Sequence, residues 1–261
     1  MKTALASILI CGTLLCNQPI NIDNYISMTE PANKANEVMK PAKASYAKQL
    51  KLLGYYKKDS SNEKLNERNA VLRFQCSCNL VADGVKGDQF RCALISRLMV
   101  NGSYKYPDKV LKPASSGYWI TINRSKRILT LYKNKTVVRK YPIAIGKENS
   151  KTPQGKFRVA VKTKNPVWSG GDTGKPPAKG GAPDNPLGKR WIGLSLGGGD
   201  IYGIHGNNKP FSIGKEVSNG CIRMINSDVT ELYNTIGLNT PVWVGTDAKL
   251  RKWGVTQPAY Y

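Results

Sequence analysis

The sequence predicts a two-domain protein: a small all-α three-helix bundle, followed by a mainly β, sandwich- or barrel-like domain with one clear helix. Three observations predict it. Apolar residues recur at helical spacing between Tyr46 and Met99, and the period switches to two after Tyr118. The alternating runs that follow are parted by short, turn-forming breakers such as "SK" and "TPQG". With 261 residues, of which 40% are hydrophobic, the chain is long enough for more than one core.

Taken in order, the chain opens with "MKTALASILICGTLLC", one lysine and then an apolar run from Ala4 to Cys16. That run has the length of a signal-peptide core and is too short for a comfortable membrane span. Residues 1–22 are therefore expected to be a signal peptide or leader, placing the protein outside the cell. Any membrane attachment would run through that leader alone, if it is left uncleaved. Residues 23–45 lack periodicity and read as a linker. In "YAKQLKLLGYY", Ala47, Leu50 and Leu53 share a helical face that stops at Gly54. "LNERNAVLRFQCSCNL" repeats the pattern, and a DG turn then leads to a third striped segment, closing a module over 46–99.

Residues 100–117 are polar and Pro-containing, and are expected to be a second linker. "YWITINR", "ILTLYKN", "KTVVRKYPIAIG" and "KFRVAVKTKN" read as strands joined by hairpin-length connections. Residues 165–188 are saturated with Gly and Pro, and a loop of that length in a β domain is uncommon and usually functional or mobile. Strands resume at "RWIGLSL", "DIYGIHG" and "CIRMI". A helix is expected at "SDVTELYNTIG", with Asn226 or Ser227 as cap and Gly237 as stop. "PVWVG" closes a domain over 118–246, leaving 247–261 as a C-terminal tail.

Charge narrows the setting. Forty Lys and Arg against 17 Asp and Glu give +23, spread along the chain. Such a field suits polyanionic surroundings. Zinc-finger spacing, an RNA-recognition signature and a base-reading basic helix are all missing from the sequence, so nucleic acid is not the expected partner. Outside the leader stand Cys76, Cys78, Cys92 and Cys221. An oxidising exterior permits a disulfide from Cys92 to Cys76 or Cys78, and buried inert thiols are the alternative. Three cysteines in a CxC-plus-one spacing match no zinc site.

Chemistry concentrates in "YGIHG" and "VSNGCIRMI", sixteen positions apart from His205 to Cys221. His205 is the only histidine of the chain. A cysteine becomes a nucleophile when its thiolate is populated and reachable, and an adjacent imidazole populates it by taking the proton. Both residues sit at strand ends beside glycine, where a sheet would bring thiol and imidazole together. The N–H groups of Asn219, Gly220 and Cys221 could face a developing oxyanion. Alone, either residue would read as structural; paired, they favour catalysis without deciding it against a structural role.

The segment "IYGIHGNNKPFSIGKEVSNGCIRMINSDV" resembles the signature of the L,D-transpeptidase catalytic domain. "KTPQGKFRV" and "NPLGKRWIGL" extend that resemblance over about 118–246. It implies Cys221 as nucleophile, His205 as general base, and the Gly206 carbonyl as the group orienting the imidazole. Ser218, Asn219, Gly220, Arg223 and Tyr202 would serve the oxyanion or the substrate. Arg223 has a second reading, a buried pair with Asp228. Asn219 stands where some branches carry a second histidine, so the chain looks like the single-histidine, Bacillus-like branch.

"LGYY", "AVLRFQ" and "LVADGVKGDQFRCAL" resemble a three-helix peptidoglycan-binding domain, although Asp88 replaces the threonine expected after the second glycine. Together the resemblances imply peptidoglycan stem peptides and anionic wall polymers as partners, and acyl transfer forming 3→3 cross-links with no metal or organic cofactor. Hydrolysis of the same thioester, an L,D-carboxypeptidase activity, is the alternative outcome, and a non-catalytic wall-binding protein is the non-enzymatic one. Papain-like endopeptidases place the cysteine before the histidine, and sortases expect an apolar-Thr-x-Thr-Cys strand; "HG…SNGC" fits neither.

Overall fold

The computed structural model describes residues 45–99, 104–171 and 174–260. The expected leader and, apart from Ser45, the first linker lie outside the described residues. Three helices come first: α1 (Ala47–Leu52), α2 (Glu63–Ser77) and α3 (Asp88–Met99). Gly54, with φ +78, ends the α1 region, and the Tyr55 N–H returns to Leu50 O at 2.8 Å. Asn62 caps α2 by accepting the Leu65 N–H at 3.1 Å. Leu50, Val71, Phe74, Phe90 and Leu94 form the core of this module, with Phe74 and Phe90 packed edge to face at 5.2 Å.

Strands follow: β1 (Lys109–Val110), β2 (Tyr118–Asn123), β3 (Ile128–Lys133), β4 (Thr136–Gly146), β5 (Gly155–Lys164), β6 (Arg190–Leu194), β7 (Gly203–His205), β8 (Glu216–Ser218) and β9 (Ile222–Met224). Helix α4 (Asn226–Thr235), β10 (Pro241–Gly245), α5 (Asp247–Lys252) and β11 (Val255–Thr256) complete the chain. The large sheet runs β3-β2-β10-β5-β6-β7-β9-β4-β8, and a β3–β4 pairing closes the row into a barrel with β8 outside the ring. Closure satisfies the backbone groups that an open edge would leave unpaired. Most neighbours are antiparallel, but β2–β10, β7–β9 and β4–β8 are parallel.

Alternation decides what the barrel buries. Ile120, Ile122, Leu129, Leu131, Ile143, Ile192, Ile204, Ile222, Met224, Val242 and Val244 belong to one core, with Val229 and Leu232 of α4 packed into it. Truncating any of the larger ones to alanine costs about 2–5 kcal/mol. A second, smaller core joins helices to barrel: Leu72 and Cys76 of α2 meet Ile128, Ala144, Ile213 and Ile225.

Four expectations are corrected. The segment 247–261 is not a tail. Thr246 caps α5, Leu250 and Val255 pack with Trp119, Tyr132 and Trp243, and β11 pairs with β1. Nor is 100–117 a plain linker: it supplies β1 and a nearly fully buried Asp108. The expected bond from Cys92 to Cys76 or Cys78 is not formed, since both of those are free, buried thiols. Finally, Ile225 takes the N-cap position of α4, and its first residue, Asn226, points its amide elsewhere.

Candidate active site

Three short strands carry the site. In β7 and β9, Ile204 pairs with Ile222 and His205 with Arg223, while across β6 Trp191 pairs with His205. Ile192, Ile204 and Ile222 point into the core. Side chains alternate along a strand, so Trp191, Gly203, His205, Cys221 and Arg223 share the opposite face. Cys221 precedes β9 and lies diagonally across from His205, two positions from its ladder partner, within reach of a long side chain.

His205 is 4% exposed. Its Nδ1 lies 2.7 Å from Gly206 O. A carbonyl only accepts, so Nδ1 carries the proton and Nε2 is left with its lone pair. The Trp191 indole stacks on the imidazole at 5.6 Å and is itself fixed by Nε1–H donating to Gly199 O at 2.9 Å. A Cβ at Gly203 would stand 2.7 Å from that indole, so a glycine there lets the ring lie flat. Burial, followed by the positive Arg223, holds the His205 pKa down to about 4, against the opposing pull of the Gly206 carbonyl. The imidazole is therefore neutral near pH 7.

The thiol is also neutral. Burial pushes the Cys221 pKa up, while a hydrogen bond from the Gly203 backbone and the charge of Arg223 pull it down. Its Sγ–H donates to Ile201 O at 3.4 Å. Such contacts are loose before substrate arrives and rearrange when it does.

Ser218 sets the turn that presents the cysteine. Its Oγ accepts the Gly220 N–H at 3.2 Å and donates to Cys221 O at 2.6 Å. The Gly220 donor is thereby occupied, which removes it from the three N–H groups expected to face an oxyanion. Gly220 has φ +116, and a Cβ there would meet the Tyr202 ring at 2.9 Å, so Tyr202 flanks the turn. The Arg223–Asp228 pair does not form. Asp228 instead binds Arg73 of α2 at 2.8 Å, leaving Arg223 beside Cys221 and His205.

With this geometry in place, comparison with known proteins is decisive. A family model described as the L,D-transpeptidase catalytic domain matches residues 117–244. YqjB from Bacillus subtilis (strain 168), which bears an L,D-transpeptidase name, is 42% identical over 137 residues, covering 52% of this chain and 75% of its own. The chain belongs to the L,D-transpeptidase family. YkuD of the same organism is 39% identical over 132 residues, covering 51% of this chain and 68% of its own length. A crystal structure of the L,D-transpeptidase (residues 123–326) from Xylanimonas cellulosilytica shares the fold over 83% of this chain and all of that one, with a TM-score of 0.51 at 22% identity.

Two features of this L,D-transpeptidase chain escape sequence reading. Trp191 reads as an ordinary strand aromatic, yet it covers one face of His205. Asn226 reads as a helix cap, yet its side chain brackets the loop after the histidine. Oδ1 accepts the Asn207 N–H and Nδ2 donates to Asn207 O, both at 2.9 Å, while Asn207 Nδ2 reaches Met224 O at 2.6 Å. A Cβ at Gly206 would sit 2.2 Å from Asn226 Oδ1, so this position has room only for glycine. The only local trace is the recurrence of asparagine in "HGNN" and "MINS".

The Gly/Pro segment 165–188 is internally tied. Trp168 and Ala178 form a two-way backbone bridge, and buried Asn185 donates to Pro166 O and Lys179 O at 2.8 and 3.1 Å. Its end abuts the site: a Cβ on Gly206 would be 3.3 Å from Leu187 O. No group of three or more His, Cys, Asp or Glu side chains placed to hold a metal occurs among the described residues.

Proposed function

We propose that this protein is a cell-wall L,D-transpeptidase that forms 3→3 cross-links in peptidoglycan through a Cys221 thioester. The observation that carries the reading is the imidazole whose Nδ1 is committed to Gly206 O, leaving Nε2 as an acceptor on the face that presents Cys221.

Because thiol and imidazole are both neutral at rest, proton transfer accompanies attack and no thiolate–imidazolium pair stands ready beforehand. Nε2 takes the Sγ proton as sulfur bonds to the carbonyl carbon of the third stem residue. Backbone N–H groups of Asn219 and Cys221 receive the oxyanion, and Arg223 adds positive charge beside it. Collapse expels the terminal D-alanine, whose nitrogen takes the proton from His205. The side-chain amine of a neighbouring stem then attacks the thioester, passes its proton to His205, and releases the thiol. Tyr202 and the 165–188 loop flank the acyl group and limit access of water, which would otherwise complete a carboxypeptidase cycle.

The helical module, which resembles a peptidoglycan-binding domain, would keep the enzyme on an insoluble substrate by raising local concentration. A +23 net charge suits anionic wall polymers, and the apolar run from Ala4 to Cys16 suits export. Incubation with a disaccharide-tetrapeptide, read by mass, tests the reading. A cross-linked dimer with loss of D-alanine is expected from the native chain and none from Cys221→Ala. Dimer formation by Cys221→Ala would remove the nucleophile assignment, and tripeptide as the sole product would make the enzyme a carboxypeptidase.

A further inference from the structure

Away from the active site, at the seam of helices and barrel, lies a second reactive constellation. The Lys140 side chain in β4 is 0% exposed and that of Asp108 is 1% exposed. Lys140 Nζ is 2.6 Å from Asn79 Oδ1 and 2.8 Å from Asp108 Oδ2. The other carboxyl oxygen, Asp108 Oδ1, accepts from Asn79 Nδ2 at 2.9 Å. Amine, carboxamide and carboxyl thus close a ring in which each group touches the other two.

Their surroundings are aromatic and buried, with a cavity that Lys140 borders together with Ser77, Tyr106 and Arg139. The Tyr106 ring centroid lies 5.8 Å from Nζ, Tyr132 OH donates to Asp108 Oδ2 at 2.5 Å, and Gln257 Nε2 approaches the same oxygen at 3.2 Å. Thr130 Oγ1 is 3.3 Å from Nζ. Burial pushes the Lys140 ammonium toward its neutral form against the attraction of Asp108. Burial likewise pushes the carboxyl up, though Lys140 holds it lower overall. In a low-dielectric site, moving one proton from Nζ to Asp108 turns an ion pair into a neutral pair at no change in proton count. The neutral amine is a nucleophile, and the carboxamide carbon beside it is its electrophile.

We propose that Asn79 and Lys140 form an intramolecular isopeptide bond, with Asp108 as the proton shuttle. Nζ bonds to Cγ of Asn79 while the Cγ–Nδ2 bond breaks. The Asp108 carboxylate takes protons from Nζ and returns one to the departing Nδ2. Ammonia leaves and carries the excess proton away as ammonium, so ammonium plus an amide balance the original ammonium plus carboxamide. No oxidant or cofactor enters. The bond would join the residue just past α2 to a barrel strand, welding the helical module to the catalytic domain.

Intact chain, denatured, reduced and digested with trypsin, tests this directly. The expected product is peptide 74–86 joined to 140–147, lighter than the sum of the two by one ammonia, with no cleavage after Lys140. Linear 74–86 together with cleavage after Lys140 in the native chain would overturn the proposal, whatever any variant does. Asp108→Asn should lose the joined peptide; a variant that keeps it at native yield removes Asp108 as the shuttle. Lys140→Arg should return linear 74–86, and a loss of ammonia persisting there would show that it arises elsewhere.

Discussion

Asp228, in the catalytic segment, is held by Arg73 of the helical module: Nη2 donates to Oδ1 at 2.8 Å and Nε to Oδ2 at 3.3 Å. Arg73 also forks onto Asp59 at 2.7 and 3.0 Å, and Ser227 Oγ donates to the same carboxylate at 2.7 Å. Both acids and the guanidinium are less than one-tenth exposed. The helix that follows Cys221 is thereby locked to the N-terminal module through buried charge.

Breaking that lock from one side is the costly operation. Arg73→Leu strands Asp228 and Asp59 in the seam, and the expected loss is about 3–5 kcal/mol. Equilibrium urea unfolding measures it. The double variant Arg73→Leu/Asp228→Leu should recover only part of the loss, because it removes one of the two orphaned carboxylates and leaves Asp59 without its guanidinium.

Acid sensitivity follows from the imidazole. His205 has a folded pKa of about 4 against an ordinary value of 6.5, so the unfolded chain binds the proton first. Its contribution to stability is complete above pH 6.5 and is lost as pH falls toward 4, on the order of 3 kcal/mol in all. Denaturant midpoints measured across that range should fall less steeply in His205→Gln than in the native chain. A single histidine makes its NMR titration unambiguous.

Trp191→Ala opens one face of that ring. Relieved of part of its burial, His205 should titrate closer to 6.5, and the acid limb of the kcat/KM profile should move up with it. A variant that loses activity with an unmoved imidazole pKa would give Trp191 a role in substrate contact instead.

Gly206→Ala forces a methyl into Asn226 Oδ1. The Asn226–Asn207 bracket must yield, and with it the carbonyl that fixes the histidine tautomer. Activity should fall at least tenfold, a loss of about 1.4 kcal/mol in transition-state stabilisation. Asn226→Ala, which vacates the clashing atom, should partly rescue Gly206→Ala.

Much of this was legible. Period-two runs located β2 to β5, and "HG" with "SNGC" singled out His205 and Cys221, which the structure brings to neighbouring strands, because alternation and glycine-flanked strand ends are local properties. What was missed is non-local. Nothing in "SDVTELYN" announces that Asp228 is paired 155 positions away with Arg73. Tail-like "DAKLRKWGVTQPAYY" hides Leu250 and Val255 among lysines, and only a barrel wall that lacks their side chains reveals them as core. Cys76 and Cys78 read as partners for Cys92 or as inert thiols, and the structure buries both as free thiols in the apolar packing around α2.

The pairing of β1 with β11 sets an order of events. Residues 109–110 lie against 255–256, and Gln257 reaches Asp108. Until residues 255–257 have left the ribosome, that clasp has no second half. A chain stopped at residue 246 would keep His205 and Cys221 yet leave the seam around Asp108 open to water. Such a truncation should show its damage as protease cutting near 104–110, well before the chemistry at the barrel rim suffers.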